Sequence, residues 1–421
     1  EVKILHCLAQ LPSHTGSGIY YWVLADGFKK LGYENAFLYA IQDPFKPKVT
    51  EGKVYEVSFL SDDLDFPIAG MSDEMPYNST IYSGMNEDML CKWKNAFTNM
   101  LYKAREEFKP DIVISHHLFM LTSIVKGIFY DIPVIGISHG TDLRQIKKYP
   151  YFRELHMEYI SELDGCIAIA PKDIHDIENI IGISKNKIKV MGGGFDSRIF
   201  YRENCSAFSN DKIKTRSHDR ISILYAGKIS YSKGVYELAN AIPEVIKKHP
   251  DICIDIIGNA SEAQISELMR LSENFKHLTI SPALPQPELA RKMRESDIFV
   301  LPSYYEGLGL VNIEALASGC LVATTSIESL IWLLGDRVNS SGIIEYIKLP
   351  RLFDTDKPYE EDKPEFIKNL ANALSTQIKR VKEGFQADDE VYSEIYSHSW
   401  DGIINKIDVY IKQLISDIRQ N

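Results

Sequence analysis

Positive charge is what this chain has little of. Its 47 Lys and Arg stand against 58 Asp and Glu, a net charge of -11 over 421 residues. Nucleic-acid phosphates are neutralised by a basic footprint, so nucleic acid is excluded as a main partner, although a local basic patch is not. Cysteine is also sparse: Cys7, Cys91, Cys166, Cys205, Cys253 and Cys320 are scattered, without a close pair, and most lie in apolar strand-like runs. Reduced core thiols and a cytoplasmic location are the expectation. Nothing approaches the length of a membrane span, and Glu1 leads into VKILHCL without a charged leader of the secretory kind. No histidine, cysteine or acidic cluster has zinc-type spacing, so no metal site is expected.

What is present is enough apolar residue, 45%, to build two cores, the default at this length. Short apolar runs at Val2 to Cys7, Ala36 to Tyr39, Ile112 to Ser115, Val134 to Ser138, Cys166 to Ala170 and Ile188 to Met191 alternate with helical spacing, the rhythm of a parallel α/β sheet. Residues 62 to 86, rich in Pro, Met, Asp and Ser, read as a long loop and a candidate part of an acceptor site. A polar, turn-rich stretch from Gly192 to Arg220 reads as a linker, after which the rhythm restarts at Ile221 and runs to Thr324. The tail beyond Lys363 is helical in character, with Trp400, Ile403, Ile407, Tyr410, Ile411 and Ile415 marking a closing helix.

The segment PSYYEGLGLVNIEALASG, residues 302 to 319, carries the most information. An apolar strand precedes it, Gly307 and Gly309 punctuate a turn, and a helix starting near Leu310 points free N–H groups back over that turn, a place that attracts anions. Glu306 and Glu314 would repel a diphosphate there unless each faces hydroxyls, so a sugar ring and a ribose are the natural partners, with phosphates on the amides between. A nucleotide-linked sugar has all three parts. The plain alternative, solvated surface glutamates, conflicts with the apolar run around Glu314, where an unpaired charge is costly.

Three further turns follow predicted strands. YAGKISYSKG, 225 to 234, offers Lys228 and Lys233 to one pyrophosphate, beside Gly227 and Gly234. The turn at Gly16 and Gly18 lacks the third glycine of a dinucleotide fingerprint, and a plain strand-to-helix turn explains it about as well. ISHGTDLRQ, 137 to 145, places His139 at a strand end; it reads either as a structural histidine or, with Asp142 and Arg144, as a loop holding sugar hydroxyls or an acidic acceptor. His116 and His117 end the preceding strand in the same way. The helix from Asn86 to Phe108, with Lys92, Trp93, Lys94, Phe97, Lys103 and Arg105, suits either packing on the sheet or peripheral contact with anionic lipid.

Taken in order, the glycine turn at 16 to 18, SHGTD at 138, GGGFDSRIF at 192, GKISYSKG at 227, IIGNA at 256, the Glu-x(7)-Glu segment and the terminal HSWDGIINKIDVYI at 398 resemble the retaining glycosyltransferases of family 4. That resemblance implies the α/β GT-B fold: two Rossmann-like domains facing across a cleft, an acceptor domain over 1–197 and a donor domain over 198–399, with a C-terminal helix of about 400–421 crossing back to the first domain. It implies a nucleotide-sugar donor, most often UDP-linked, a hexosyl transfer to a sugar, glycolipid or small hydroxylated acceptor, and no required cofactor or metal. Carried over by position, Glu306 meets donor-sugar hydroxyls and Glu314 the ribose. Lys228 and Lys233 meet the diphosphate together with the amides of Gly307, Leu308, Gly309 and Leu310 and of the Gly16 to Gly18 turn. His139 touches the donor sugar, and the base pocket includes backbone near Gly258 and Leu284. The family usually has arginine where this chain has Lys228, which keeps the charge and loses the bidentate fork. A phosphorylase or sugar-nucleotide epimerase of the same fold, or a non-catalytic nucleotide-sugar binding module, remains open.

Overall fold

The apolar runs form two separate all-parallel sheets. A computed structural model describes residues 2–12, 15–45, 47, 51–72, 75–203 and 220–420. The chain divides into two units, Glu1–Gly192 with Trp400–Asn421, and Gly193–Ser399.

In the first unit the strands are β1 (Lys3–Leu8), β2 (Glu34–Ile41), β3 (Lys53–Ser58), β4 (Ile112–His116), β5 (Val134–Ile137), β6 (Gly165–Ala168) and β7 (Ile188–Val190), in the order β3-β2-β1-β4-β5-β6-β7. β1, β4, β5 and β6 are buried nearly throughout, which is why they read as continuous apolar runs. Helix α1 (Gly16–Lys30) follows β1, and Thr15 caps it by accepting from the Gly18 N–H at 3.1 Å. Helix α2 (Glu87–Glu107) buries Trp93, Phe97 and Leu101 completely, while Lys92 pairs with Asp65 and Asp88 and Arg105 with Asp131. Packing on the sheet therefore accounts for this helix, and Trp93 and Phe97 are not available to a lipid surface. The segment expected to be an open loop, 62 to 86, buries Leu64, Phe66, Ile68, Met71, Tyr77 and Tyr82 in the same core, where described, and holds two short paired strands, Ala69–Gly70 and Thr80–Ile81. Composition hid its packing, because the apolar residues follow no period.

The second unit has β8 (Ile221–Ala226), β9 (Ile252–Ile257), β10 (Leu278–Ser281), β11 (Ile298–Leu301), β12 (Leu321–Thr325) and β13 (Ile344–Ile347), in the order β10-β9-β8-β11-β12-β13. The last helix of the chain, Trp400–Gln420, returns to the first unit. Ile404 meets α1 at Gly27, where an added Cβ would stand 2.1 Å from Ile404 Cδ1, and Ile403, Ile407 and Ile411 are fully buried among β1, β4 and β5 side chains. The part of the expected linker from 204 to 219, and Cys205 with it, lies outside the described residues. The other five cysteines form no disulfide with one another, and burial raises the Cys7 and Cys166 thiols far above their ordinary range. Among the described residues no helix is long and apolar enough to cross a membrane.

Candidate functional site

A parallel sheet sends every strand-to-helix turn out of one edge, and ligands bind where the strand order reverses. In the second unit that reversal lies between β8 and β11, so the turns at 227 to 234 and 302 to 309 are neighbours. Backbone contact joins them. Tyr304 N donates to Ser232 O at 2.9 Å, and Gly234, at φ +65°, lies so close to Pro302 that a Cβ would stand 2.0 Å from its carbonyl oxygen. Only glycine satisfies both demands.

This contact sets Lys233 against Glu306. Lys233 Nζ donates to Glu306 Oε1 at 2.8 Å, and Ser303 Oγ donates to the same oxygen at 2.7 Å. Thr325 Oγ1 donates to Ser303 O, and Ser329 Oγ to Gly307 O at 2.7 Å, so β12 and the helix after it brace both ends of the turn. Gly309, at φ +67°, caps α3 (Leu310–Ala317) with no side-chain hydrogen bond, leaving the first-turn amides of that helix without a capping side chain. Glu314 sits in the second turn of α3. It is half-buried, has no side-chain partner among the described residues, and burial pushes its carboxyl up to about 7.

Gly258 and Leu284 lie on the neighbouring turns after β9 and β10. Gly258 N donates to Ser281 O at 2.9 Å, a Cβ on Gly258 would meet Gly227 O at 2.2 Å, and Asn259 Oδ1 accepts from Ala283 N at 3.0 Å. Four consecutive turns of one sheet edge thus carry Lys228, Lys233, Gly258, Leu284, Glu306 and the Gly307 to Leu310 amides. Lys228 is exposed, and its carbonyl accepts from Tyr225 OH at 2.9 Å.

Gly16, Gly18 and His139 belong to the first unit. There the reversal falls between β1 and β4, and Gly16 opens the helix after β1. The Gly18 amide, expected to help hold phosphate, is occupied by Thr15, and Gly18 is buried. His139 follows β5 and is half-buried. Its Nε2 lies 3.0 Å from His116 Nδ1, the two rings stack at 14°, and Tyr20 meets His139 edge-on at 5.5 Å. His117, in contact with the same ring at 4.8 Å, has φ +69° and is almost fully buried, with neither ring nitrogen hydrogen-bonded among the described residues. Desolvation lowers all three histidines below their ordinary pKa, so they are neutral at pH 7. A left-handed, unpaired histidine concentrates strain beside the candidate site, and nothing in the sequence signals that conformation.

Of the two readings left open for the 137 to 145 loop, Asp142 itself takes the structural one. It is fully buried; Oδ2 accepts from Leu118 N at 2.7 Å and His139 N at 3.4 Å, and Oδ1 from Ser138 Oγ and Leu143 N at 3.0 Å each. It ties the turn after β4 to the turn after β5. Replacing it by alanine orphans these donors, and a loss of about 2–4 kcal/mol in denaturant unfolding is expected, with asparagine intermediate.

The model of "Glycosyltransferase Family 4" matches residues 15–198 and that of "Glycosyl transferases group 1" residues 207–346. Among curated proteins the chain is 26% identical over 231 residues to a glycogen synthase of Mycobacterium tuberculosis, covering 53% of this chain and 54% of that one. It is 29% identical over 177 residues to a D-inositol 3-phosphate glycosyltransferase of Paenarthrobacter aurescens, covering 40% and 42%. The chain spans about half the length of the curated relatives it matches. Solved structures share the fold over nearly the whole chain. A glycosyltransferase from Rickettsia africae has TM-score 0.63 at 14% identity, covering 100% of this chain and 99% of that one. Anabaena HepE in complex with UDP and glucose has TM-score 0.60 at 14% identity, covering 98% and 100%. The two family models together account for most of the chain, the first sheet apart from β1 under one and most of the second under the other, and with the GT-B fold of these neighbours they place the chain in the family 4, group 1 glycosyltransferases.

Proposed function

We propose that this glycosyltransferase moves a hexosyl unit from a UDP-linked sugar to a sugar, glycolipid or small hydroxylated acceptor, with retention of anomeric configuration. The observation that carries the donor half is the Lys233–Glu306 pair at the strand-order reversal, beside a glycine-capped helix start. The cation and the free amides suit a diphosphate, and the carboxylates at 306 and 314 suit hydroxyls on either side of it. Uridine as the base follows the UDP in the HepE complex.

In this reading Lys228, Lys233 and the amides of Gly307 to Leu310 take up the negative charge that grows on the leaving diphosphate, without a divalent cation. Glu306 orients the sugar, Glu314 the ribose, and His139 meets the sugar near the reacting carbon. The acceptor oxygen bonds to the anomeric carbon on the face that the diphosphate leaves. The bond from that carbon to the phosphate oxygen breaks, and the acceptor's proton passes to that oxygen. No protein nucleophile is required.

The check is a panel of UDP-, GDP- and ADP-sugars read by nucleotide release and thermal shift. Stabilisation by UDP-sugars and acceptor-dependent UDP release are expected. Silence toward every donor would refute the reading, and donor interconversion without acceptor, or phosphate-dependent product, would turn it into an epimerase or phosphorylase.

A further inference from the structure

The ring of His139 carries one proton, because the neutral form prevails, and where it sits decides what the ring offers a ligand. Its Nε2 is 3.0 Å from His116 Nδ1, so one of these nitrogens donates and the other accepts. The far nitrogen of His116 resolves the choice. His116 is 1% exposed, and its Nε2 is buried with no hydrogen-bond partner among the described residues. If His139 were the donor, His116 would accept at Nδ1 and carry its own proton on Nε2, as an orphaned buried N–H. If His116 donates, Nε2 keeps only a lone pair. Orphaned donors are rarer and costlier than orphaned acceptors.

His6, close to the same cluster, follows that rule independently. Asn35 Nδ2 donates to Ala25 O at 3.1 Å, which turns Asn35 Oδ1 toward His6 Nε2 at 2.9 Å and makes His6 Nε2 the donor. The unpaired buried nitrogen is then His6 Nδ1, again a lone pair.

We propose that His116 is a positioning residue that fixes His139 as the Nδ1–H tautomer, so that this ring presents a hydrogen-bond donor to its ligand and has no free lone pair to act as a base. Stacking at 14° and the Tyr20 edge hold the ring plane, and the Asp142 contact to His139 N holds its backbone. The recognised ligand atom is then an acceptor, such as a hydroxyl or ring oxygen of a sugar. This last step rests on the glycosyl-transfer reading; the tautomer does not.

The test is nitrogen NMR of the full chain labelled at histidine, with His139 assigned by its loss in His139→Gln. The expected spectrum has protonated Nδ1 and unprotonated Nε2 for His139, with the reverse proton position excluded for His116. A protonated His139 Nε2, in the neutral ring or in an imidazolium, would overturn the proposal. In His116→Phe the Nε2 signal should move toward the protonated value and kcat for transfer should fall about tenfold at little change in donor KM. His116→Asn, whose amide donates from the place of Nδ1, should restore the Nδ1–H signal and most of the lost kcat. An unchanged tautomer in His116→Phe would also overturn it. A confirmed tautomer in a protein that turns over no nucleotide sugar would leave this inference standing and remove the glycosyl-transfer reading instead.

Discussion

Replacing Lys233 with alanine, or Glu306 with glutamine, is expected to lower kcat/KM for the donor by about 10²–10³ while moving the melting temperature by only a few degrees. The structural part is small because the pair is partly exposed, Lys233 at 27% and Glu306 at 14%, and such pairs contribute about 1 kcal/mol or less to stability. The catalytic part is large for Lys233 because removing one preorganised cation that faces a developing anion typically costs that factor, and for Glu306 because the charge that orients Lys233 and accepts from the sugar hydroxyls is lost. Glu306→Gln keeps the shape and can still accept from Ser303 Oγ, so its loss isolates the charge. Since Lys233 and Glu306 are directly hydrogen-bonded to each other, the double variant should fall short of the product of the single effects. Steady-state kinetics with the best donor of the panel checks this, and full activity in either single variant would remove the pair from the site.

Glu314→Gln is expected to do two opposite things: stabilise the fold at pH 8 and weaken nucleotide binding. The carboxyl is raised from 4.5 to about 7 by burial alone. A raised folded pKa favours the protonated form, so its contribution is fully present below about 4.5 and is lost as pH rises through 7. Above that, holding the charge costs about 3 kcal/mol at 1.36 kcal/mol per pKa unit. Glutamine does not pay it, so the variant should gain stability at pH 8 and none at pH 4. If the carboxylate accepts from ribose hydroxyls, wild-type affinity for UDP rises with pH from 6 to 8 and levels off above. Glu314→Gln should flatten that profile and bind about tenfold more weakly at pH 8. Calorimetric titration and thermal unfolding across this range measure both, and a variant unchanged in Tm and in Kd would refute the assignment. The same burial that costs stability makes the site receptive to a hydroxyl-bearing ligand.

How much of this was legible in the sequence depended on whether a feature was local. Buried parallel strands such as β8 and β11 are continuous apolar runs, and the glycine turns after them mark the sheet edge without any structure. β3 escaped because it is an edge strand half exposed to solvent, KVYEVS, with a glutamate in its middle. β13 is only four residues long and buried only at its two ends, Ile344 and Ile347. At the site, residue types were readable and pairings were not. Lys233 and Glu306 were legible as a cation and a carboxylate on two glycine turns that follow buried strands. That they hold each other across 73 residues of chain follows only from the backbone approach of Gly234 to Pro302. Asp142 carries the opposite lesson: its residue type suggested a ligand group, and its full burial commits it to backbone amides. The positive φ of His117 has no sequence signature, because histidine does not demand it.

The most direct measurement is a crystal structure of the full chain soaked with a non-hydrolysable UDP-sugar. The expected result has the diphosphate on Lys228, Lys233 and the amides of Gly307 to Leu310, the ribose on Glu314 and the sugar hydroxyls on Glu306. A nucleotide sugar ordered away from the edge between β8 and β11, or one whose phosphates meet neither lysine, would contradict it.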